Sequence, residues 1–319
     1  MPLFSLLLLL IGVACLYYGA EWLVRGSAGL ALAFGVSSVV VGLTVVSFGT
    51  SAPELVVSTL AAATNKPAIA LGNVVGSNIA NIGLILGLTA LIAPPIAEGS
   101  LRVRELPVLL IATAAVPLAL IDGKIGRFDA AVFLVAAMVF TYATLRWTER
   151  EQKSIAEPDS AQPKPETLGT WALAALVLAG LMVLFIGGEA FVKGAVGVAT
   201  WLGVSDRVVA LTVVALGTSL PELAASLVAA MRGHSELAVG NVVGSNILNI
   251  LLILGVAGLV HPIPGALSES ALDLALMGLL TVACAVAIRR ERRITRVEGT
   301  VLLAGYFGFI ALLVRQSLG

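Results

Sequence analysis

Two polar clusters recur inside otherwise apolar sequence. The first reads VVSFGTSAPEL and holds Ser47, Gly49, Thr50, Ser51, Pro53 and Glu54; the second reads VVALGTSLPEL and holds Ala215, Gly217, Thr218, Ser219, Pro221 and Glu222. Each is followed by a second motif. GNVVGSNIANIG contains Asn73, Ser77, Asn78 and Asn81, and GNVVGSNILNIL contains Asn241, Ser245, Asn246 and Asn249. Carboxylates, hydroxyls, amide oxygens and freed backbone carbonyls are all oxygen donors, and a hard cation such as Ca2+ takes about six to eight of them in flexible geometry. On a helix, Ser47, Thr50, Ser51 and Glu54 run i, i+3, i+4, i+7 and share one face. Ser77 and Asn81 form an i, i+4 pair, and the small residues Gly72, Gly76 and Ser77 let helix backbones approach closely. Pro53 lacks an N–H and its ring crowds the carbonyl of Gly49; Pro221 does the same at Gly217. Each helix should kink there and free backbone carbonyls, which is tolerated at membrane depth only beside protein or a wet cavity.

Glu54 and Glu222 fall in the middle of apolar segments. An ionised side chain at the centre of a membrane helix costs at least about 2.5–3.5 kcal/mol, so each needs a cation, another side chain or water. No Lys or Arg lies mid-span to serve, and a bound cation answers the need most simply. Asn73, Asn78, Asn241 and Asn246 read as structural rather than ligating. Glu21 and Glu189 lie near helix ends, where snorkelling is cheap. His234 and His261 lie in loops, and the Arg289–Arg296 cluster reads as a lipid-headgroup feature.

The elements that must position these residues follow from composition. The chain has 319 residues, 59% hydrophobic and 12% charged, with mean hydropathy +1.03. Soluble domains run at about 45–50% apolar and about 25% charged, so this is an integral membrane protein. Lys plus Arg and Asp plus Glu both number 19, which excludes a generally basic nucleic-acid binder. Cys15 and Cys284 lie far apart and form no metal-ligand spacing. A bilayer core about 30 Å thick needs roughly 20 apolar helical residues. Ten segments qualify: 3–24, 39–64, 69–93, 103–121, 127–147, 169–192, 207–231, 237–260, 270–288 and 297–315. The first has no basic n-region and no clear cleavage site, so it reads as a retained helix. The only long polar stretch, 148–168, reads as a solvated linker between a first five-helix half (1–147) and a second (169–319). With that linker in the cytoplasm, 13 of the 19 basic residues lie inside, while Lys66, Lys124, Arg127, Lys193, Arg207 and Arg315 lie outside. Both termini are then outside.

Residues 39–88 align with 207–256 without a gap at an offset of 168, and 30 of the 50 positions are identical. Gly19, Glu21, Val24, Gly26, Gly29 and Gly35 recur as Gly187, Glu189, Val192, Gly194, Gly197 and Gly203. The halves are therefore internal repeats. Five spans is an odd number, so the second copy crosses the membrane in the opposite sense. The expected fold is an all-α integral membrane protein of ten transmembrane helices in two inverted five-helix repeats. In such folds the binding site lies near mid-bilayer at the repeat interface.

The paired GTSxPE and GNVxGSNxxN motifs, one set per half, resemble the alpha repeats of the cation/calcium exchanger superfamily, and within it the chain is most similar to prokaryotic sodium/calcium exchangers. The resemblance covers essentially the whole chain. It implies an antiporter that moves sodium inward and calcium outward by alternating access, with ions bound between helices two, three, seven and eight. It further implies Glu54 and Glu222 as shared carboxylates, with Thr50, Ser51, Thr218, Ser219, Ser77 and Ser245 supplying hydroxyl or carbonyl oxygens. Ser47 and Ala215 would contribute backbone carbonyls, and Asn81 and Asn249 would complete the cage. Several sodium-coupled relatives carry Asp at the position of Asn249, whereas both copies here carry Asn. Two carboxylates balance one Ca2+ or two Na+.

The nearest rival is a proton/calcium antiporter of the same fold; proton-coupled relatives often have a His in the central motif, and this chain has none within its spans. A hydrolase built on Ser51 or Ser219 would need a base such as His within reach, and both histidines lie in loops. A passive channel would conduct without a counter-ion. The sequence thus leads to a non-enzymatic, cofactor-free transporter whose partners are Ca2+, Na+ and membrane lipid, expected as a monomer in the plasma (inner) membrane of a prokaryote.

Overall fold

A computed structural model describes residues 2–97, 99–155, 168–204, 209, 215–290 and 293–318. The chain is helical apart from one two-residue strand pair. Helix α1 covers Pro2–Phe34. The next span is broken into α2 (Ser38–Thr50) and α3 (Ala52–Ala63), bent by 46°. There follow α4 (Pro67–Ile92), α5 (Gly99–Val103), α6 (Glu105–Ala119), β1 (Lys124–Ile125) and α7 (Arg127–Ile155). After the linker come α8 (Thr170–Trp201), the single turn α9 (Ala215–Gly217), α10 (Leu220–Met231) and α11 (Ser235–Val260). The chain ends with β2 (Ile263–Pro264), α12 (Leu267–Arg290) and α13 (Arg296–Leu318).

Among the described residues, seven helices are long and apolar enough to cross a bilayer, or eight when α2 and α3 count as one broken span. The expected span 103–121 is realised mainly as α6, which at 15 residues falls short of the roughly 20 a full crossing needs. The expected span 207–231 is represented by α9 and α10. Of its first part, 207–208 and 210–214 lie outside the described residues.

Two helices run past their expected ends at 24 and 192. Helix α1 stops at Phe34 and α8 at Trp201 because a glycine with positive φ follows one or two residues later, Gly35 (φ 64°) and Gly203 (φ 79°). Both ends carry the same pair of closing bonds. Gly35 N–H donates to Leu32 O and Val36 N–H to Ala31 O; Gly203 N–H donates to Thr200 O and Val204 N–H to Ala199 O. This is the glycine-dependent termination of helices, and it outweighs the polar residues Arg25 and Lys193 that marked the ends in the sequence. Helix α7 continues to Ile155 instead of yielding to linker at 148, since Glu, Arg, Gln and Lys are all good helix formers. The rest of the linker, 156–167, lies outside the described residues.

Helices α1 and α8 pack antiparallel along most of their length, with glycines at the crossing points. Gly12 meets Phe191, Gly19 meets Leu184 and Gly26 meets Val177, so numbering rises along one helix as it falls along the other. A Cβ placed on Gly180 would lie 2.6 Å from Leu23 N, and one on Gly194 would lie 2.6 Å from Leu9 N. Small residues at these positions therefore set the helix separation. The outer face of the pair is apolar and exposed, with Leu3, Phe4 and Leu10 at 80%, 62% and 69%, as a lipid-facing surface should be. Helices α4 and α11 form the centre: 72% and 83% of their apolar windows are buried, against 22% in α1.

Strand β1 pairs antiparallel with β2, and Ile96 forms an isolated bridge to Arg293. Shifting Ile125 and Pro264 by 168 in opposite senses gives Arg293 and Ile96. The two pairings are thus counterparts under the repeat, to within one residue of register.

Gly180→Val should force α1 and α8 apart against backbone atoms. Overpacking of this kind costs about 1–3 kcal/mol or more, so the detergent-solubilised protein should melt at clearly lower temperature or elute as aggregate. Gly308→Ala, at an exposed position with no described atom within 4 Å of its Cβ, should melt like the parent.

Candidate ion-binding site

The break in the second span is centred on Ser51, whose backbone leaves the helical region (φ −82°, ψ 5°), and Pro53 follows in the first turn of α3. The second copy repeats this at Ser219 (φ −88°, ψ 4°) ahead of Pro221 in α10. A proline at the start of a helix is pre-organised for that place, where its missing N–H is not needed. The break therefore serves two ends. The break follows the C-terminus of the Ser47–Thr50 turn, and Glu54 and Glu222 stand in the first turns of α3 and α10. Helix N-termini favour negative charge and C-termini favour cations. A carboxylate and a helix C-terminus thus adjoin at the break.

Among the described residues, three turns near the motifs are π-helical: Gly42–Val46 in α2, Ala80–Leu86 in α4 and Asn249–Ile253 in α11. Such insertions are frequent at functional sites. The latter two contain Asn81 and Asn249, equivalent positions of the repeat. The turn bearing Asn81 packs against α10, which carries Glu222, and the turn bearing Asn249 packs against α3, which carries Glu54. Each π-turn thus lies against the glutamate-bearing helix of the opposite copy.

Glu54 and Glu222 are both 1% exposed. Their hydrogen bonds cross between the halves. Ser51 Oγ donates to Glu222 Oε1 at 3.1 Å, and Ser219 Oγ donates to Glu54 Oε1 at 3.3 Å. Ser51 and Ser219 are equivalent by the offset of 168, as are the two glutamates, so the bonds are reciprocal. Ser77 Oγ adds a longer contact to Glu54 Oε1 at 3.5 Å and lies 3.5 Å from Ser219 Oγ. The other carboxylate oxygens, Oε2 of both glutamates, are buried and accept no hydrogen bond from any described residue. The same holds for Ser245 Oγ, Thr218 Oγ1 and the amide oxygens of Asn81 and Asn249. Buried polar atoms are satisfied in the great majority of cases. A concentration of buried oxygens without donors, including two carboxylate oxygens, is the arrangement a desolvated cation needs.

The remaining expected ligands divide. Ser47 is buried; its hydroxyl donates to Leu43 O at 2.6 Å, and its carbonyl accepts from Ser51 N–H at 3.0 Å. Thr50 Oγ1 lies 3.0 Å from Val46 O and 3.2 Å from Asn241 Oδ1. Ala215 opens α9, and its side chain lies outside the described residues.

Asn73 and Asn241 act as positioning residues. Asn73 Nδ2 donates to Ser58 Oγ (2.9 Å) and Glu54 O (3.3 Å), and Asn241 Nδ2 donates to Ser226 Oγ (2.9 Å). Ser58 and Ser226 were not singled out by the sequence reading. Their signal is their identity at equivalent positions, four residues past each glutamate. Asn246 bonds its own helix through Val242 O at 2.7 Å, and Asn78 approaches Met277 Sδ at 3.8 Å, in keeping with packing roles. Glu21 pairs with Arg232 at 2.8 Å and Glu189 with Lys193 at 2.7 Å, both away from the centre.

Gly240 and Gly244 lie against the backbone of residues 39–43, and Asn241 is fully buried; of the residues that would occupy the equivalent place beside Gly72 and Gly76, 207–208 and 210–211 lie outside the described residues.

A multi-helix membrane protein with a buried, oxygen-rich acidic site between broken helices belongs to the class of ion transporters. The model of the family described as sodium/calcium exchanger protein matches residues 4–146 and 172–315, and the chain belongs to that family. It is 38% identical to membrane protein MJ0091 of Methanocaldococcus jannaschii, covering 95% of this chain and 96% of that one. It is 31% identical to sodium/calcium exchanger MaX1 of Methanosarcina acetivorans, covering 97% and 98%. Its fold superposes on the sodium-calcium exchanger NCX_Mj with a TM-score of 0.82 at 35% identity, over 98% of this chain and 99% of the other.

Asn241→Ala would strip Ser226 and Thr50 of a buried partner. Leaving buried groups unsatisfied costs about 1–3 kcal/mol each, so the melting temperature should fall clearly. Asn73→Ala, at the half-buried counterpart, should lower it less.

Proposed function

We propose that this protein is a sodium/calcium antiporter in which Glu54 and Glu222 jointly bind the transported ions. The observation that carries this reading is the pair of fully enclosed carboxylates, each hydrogen-bonded by the other half's serine and each keeping one oxygen without a donor. The ligand set is Glu54, Glu222, Thr50, Thr218, Ser51, Ser219, Ser77, Ser245, Asn81 and Asn249, with backbone carbonyls of Ser47 and Ala215. The helices concerned are the second, third, seventh and eighth of ten spans, arranged as inverted halves 1–147 and 169–319 about the cytoplasmic linker 148–168. The antiparallel α1–α8 pair, the reciprocal serine–glutamate bonds and the matched β pairings all support a two-fold relation between the halves.

Charge balance drives the cycle. One Ca2+ or two Na+ neutralise the two carboxylates, so the ions compete for one cage. A neutral, filled cage can be buried, whereas a half-filled one carries net charge into a medium of low dielectric, where uncompensated charge is strongly unfavourable. Only the filled states then cross between inward-open and outward-open forms. The helix pair α1 and α8, joined through glycines, is the body that slides over the rest. The positive-inside distribution favours a prokaryotic plasma membrane with both termini outside, and the protein works as a monomer.

Proteoliposomes loaded with Na+ should take up radioactive calcium, and uptake should stop when the Na+ gradient is collapsed. Uptake that followed only a proton gradient would move the coupling to protons. Glu54→Gln and Glu222→Gln should each reduce sodium-driven calcium uptake at least tenfold; parental flux in either variant would remove that residue from the ligand set.

A further inference from the structure

We propose that a cavity formed by α1, the start of α8 and the α10–α11 turn binds the phosphate head of an anionic membrane phospholipid. The cavity measures about 350 Å³, at the lower end of small-molecule sites, which run from about 300 Å³ upward. Its polar lining is Glu21, Arg25, Arg232 and His234, and Val24, Leu32 and Leu173 contribute apolar walls.

Its depth in the membrane follows from α1. From Leu3 to Trp22 the helix rises about 30 Å at 1.5 Å per residue, the thickness of a hydrocarbon core. Tyr17, Tyr18 and Trp22 are 43%, 57% and 39% exposed. Aromatic residues gather at the membrane–water interface, and Arg25 stands one turn beyond Trp22, at headgroup height. Leu168, Arg25 and Arg232 all fall on the linker side, where the positive-inside distribution puts the anionic cytoplasmic leaflet.

The charges in the cavity are unequally engaged. Arg232 Nε donates to Glu21 Oε2 at 2.8 Å and Arg232 Nη2 to Tyr17 OH at 3.3 Å, so the Glu21 carboxylate is already matched. Arg25 is exposed and makes no hydrogen bond or ion pair with any described residue. Two guanidinium groups against one carboxylate leave a net positive pocket with an unused planar donor set, suited to a phosphate. A head group held here bridges α1 to the turn that ends α10, the helix bearing Glu222. It would tie the peripheral helix pair to the core.

The test uses the full-length protein in nanodiscs of phosphatidylcholine with graded phosphatidylglycerol, with bound lipid counted by native mass spectrometry. The parent should retain phosphatidylglycerol in preference to phosphatidylcholine. Arg25→Gln should weaken that preference about fivefold, the effect of one basic residue near an anionic surface. Arg25→Lys should keep most of it, and Arg315→Gln, at the opposite membrane face, should leave it unchanged. An unaltered preference in Arg25→Gln, or an equal loss in Arg315→Gln, would overturn the site. Displacement of the lipid by millimolar glycerol phosphate would assign the pocket to a soluble phosphate and overturn the lipid assignment. These readouts need no ion flux, so they stand apart from the test of antiport.

Discussion

Removing a carboxylate from water costs several kcal/mol even after relaxation, and this chain does so twice within one central region, at Glu54 and Glu222. Most local features of the site can be traced to that constraint. The proline-started helices α3 and α10 put each carboxylate in a first turn, where backbone N–H groups and the helix dipole favour negative charge. The break before α3 brings the C-terminus of the Ser47–Thr50 turn beside Glu54, and a helix C-terminus favours a cation. Ser51 and Ser219 each stabilise the opposite copy's glutamate, so neither half completes its carboxylate environment alone. Donors reach Oε1 of each glutamate, while Oε2 of each has no donor among the described residues.

The same relation recurs at several distances from the centre. Near it are the serine–glutamate pairs and the Asn–Ser pairs 73–58 and 241–226. Farther out are the matched β pairings, and at the periphery the α1–α8 pair with its glycine contacts and identical helix terminations. Among the described residues the copies also depart from equivalence in their ion pairs: Glu21 reaches across to Arg232, whereas Glu189 bonds within its own helix to Lys193.

Much of the site was legible in the sequence because its physical requirement is extreme. A glutamate in the middle of an apolar span has few innocent explanations, and its recurrence at a fixed offset with the same Thr, Ser and Pro neighbours removes coincidence. Membrane embedding was equally plain from composition. The ends of α1, α8 and α7 were less legible. Polar residues at 25 and 193 looked like boundaries, although Gly35 and Gly203 were the real terminators, and the polar run after 147 favoured helix by propensity. The π-turns carrying Asn81 and Asn249 left no mark in residue type, because they depend on how each helix packs against the opposite copy. Ser58 and Ser226 were hidden for a related reason: a serine one turn beyond a motif gains meaning only when the asparagine that bonds it is known to lie alongside. Proximity across 171 or 165 positions, as in Ser51–Glu222 and Ser219–Glu54, followed only from treating the two motifs as parts of one site.

The central claim is that a single cage, neutralised by two carboxylates, holds either Ca2+ or Na+ and never both at full occupancy. Equilibrium binding of radioactive calcium to the purified protein, titrated with Na+ at constant ionic strength and pH, tests this most directly. The account predicts one saturable calcium site per chain whose occupancy Na+ drives to zero, with a Hill slope near two for the displacement. Calcium that remained bound at saturating Na+ would contradict it.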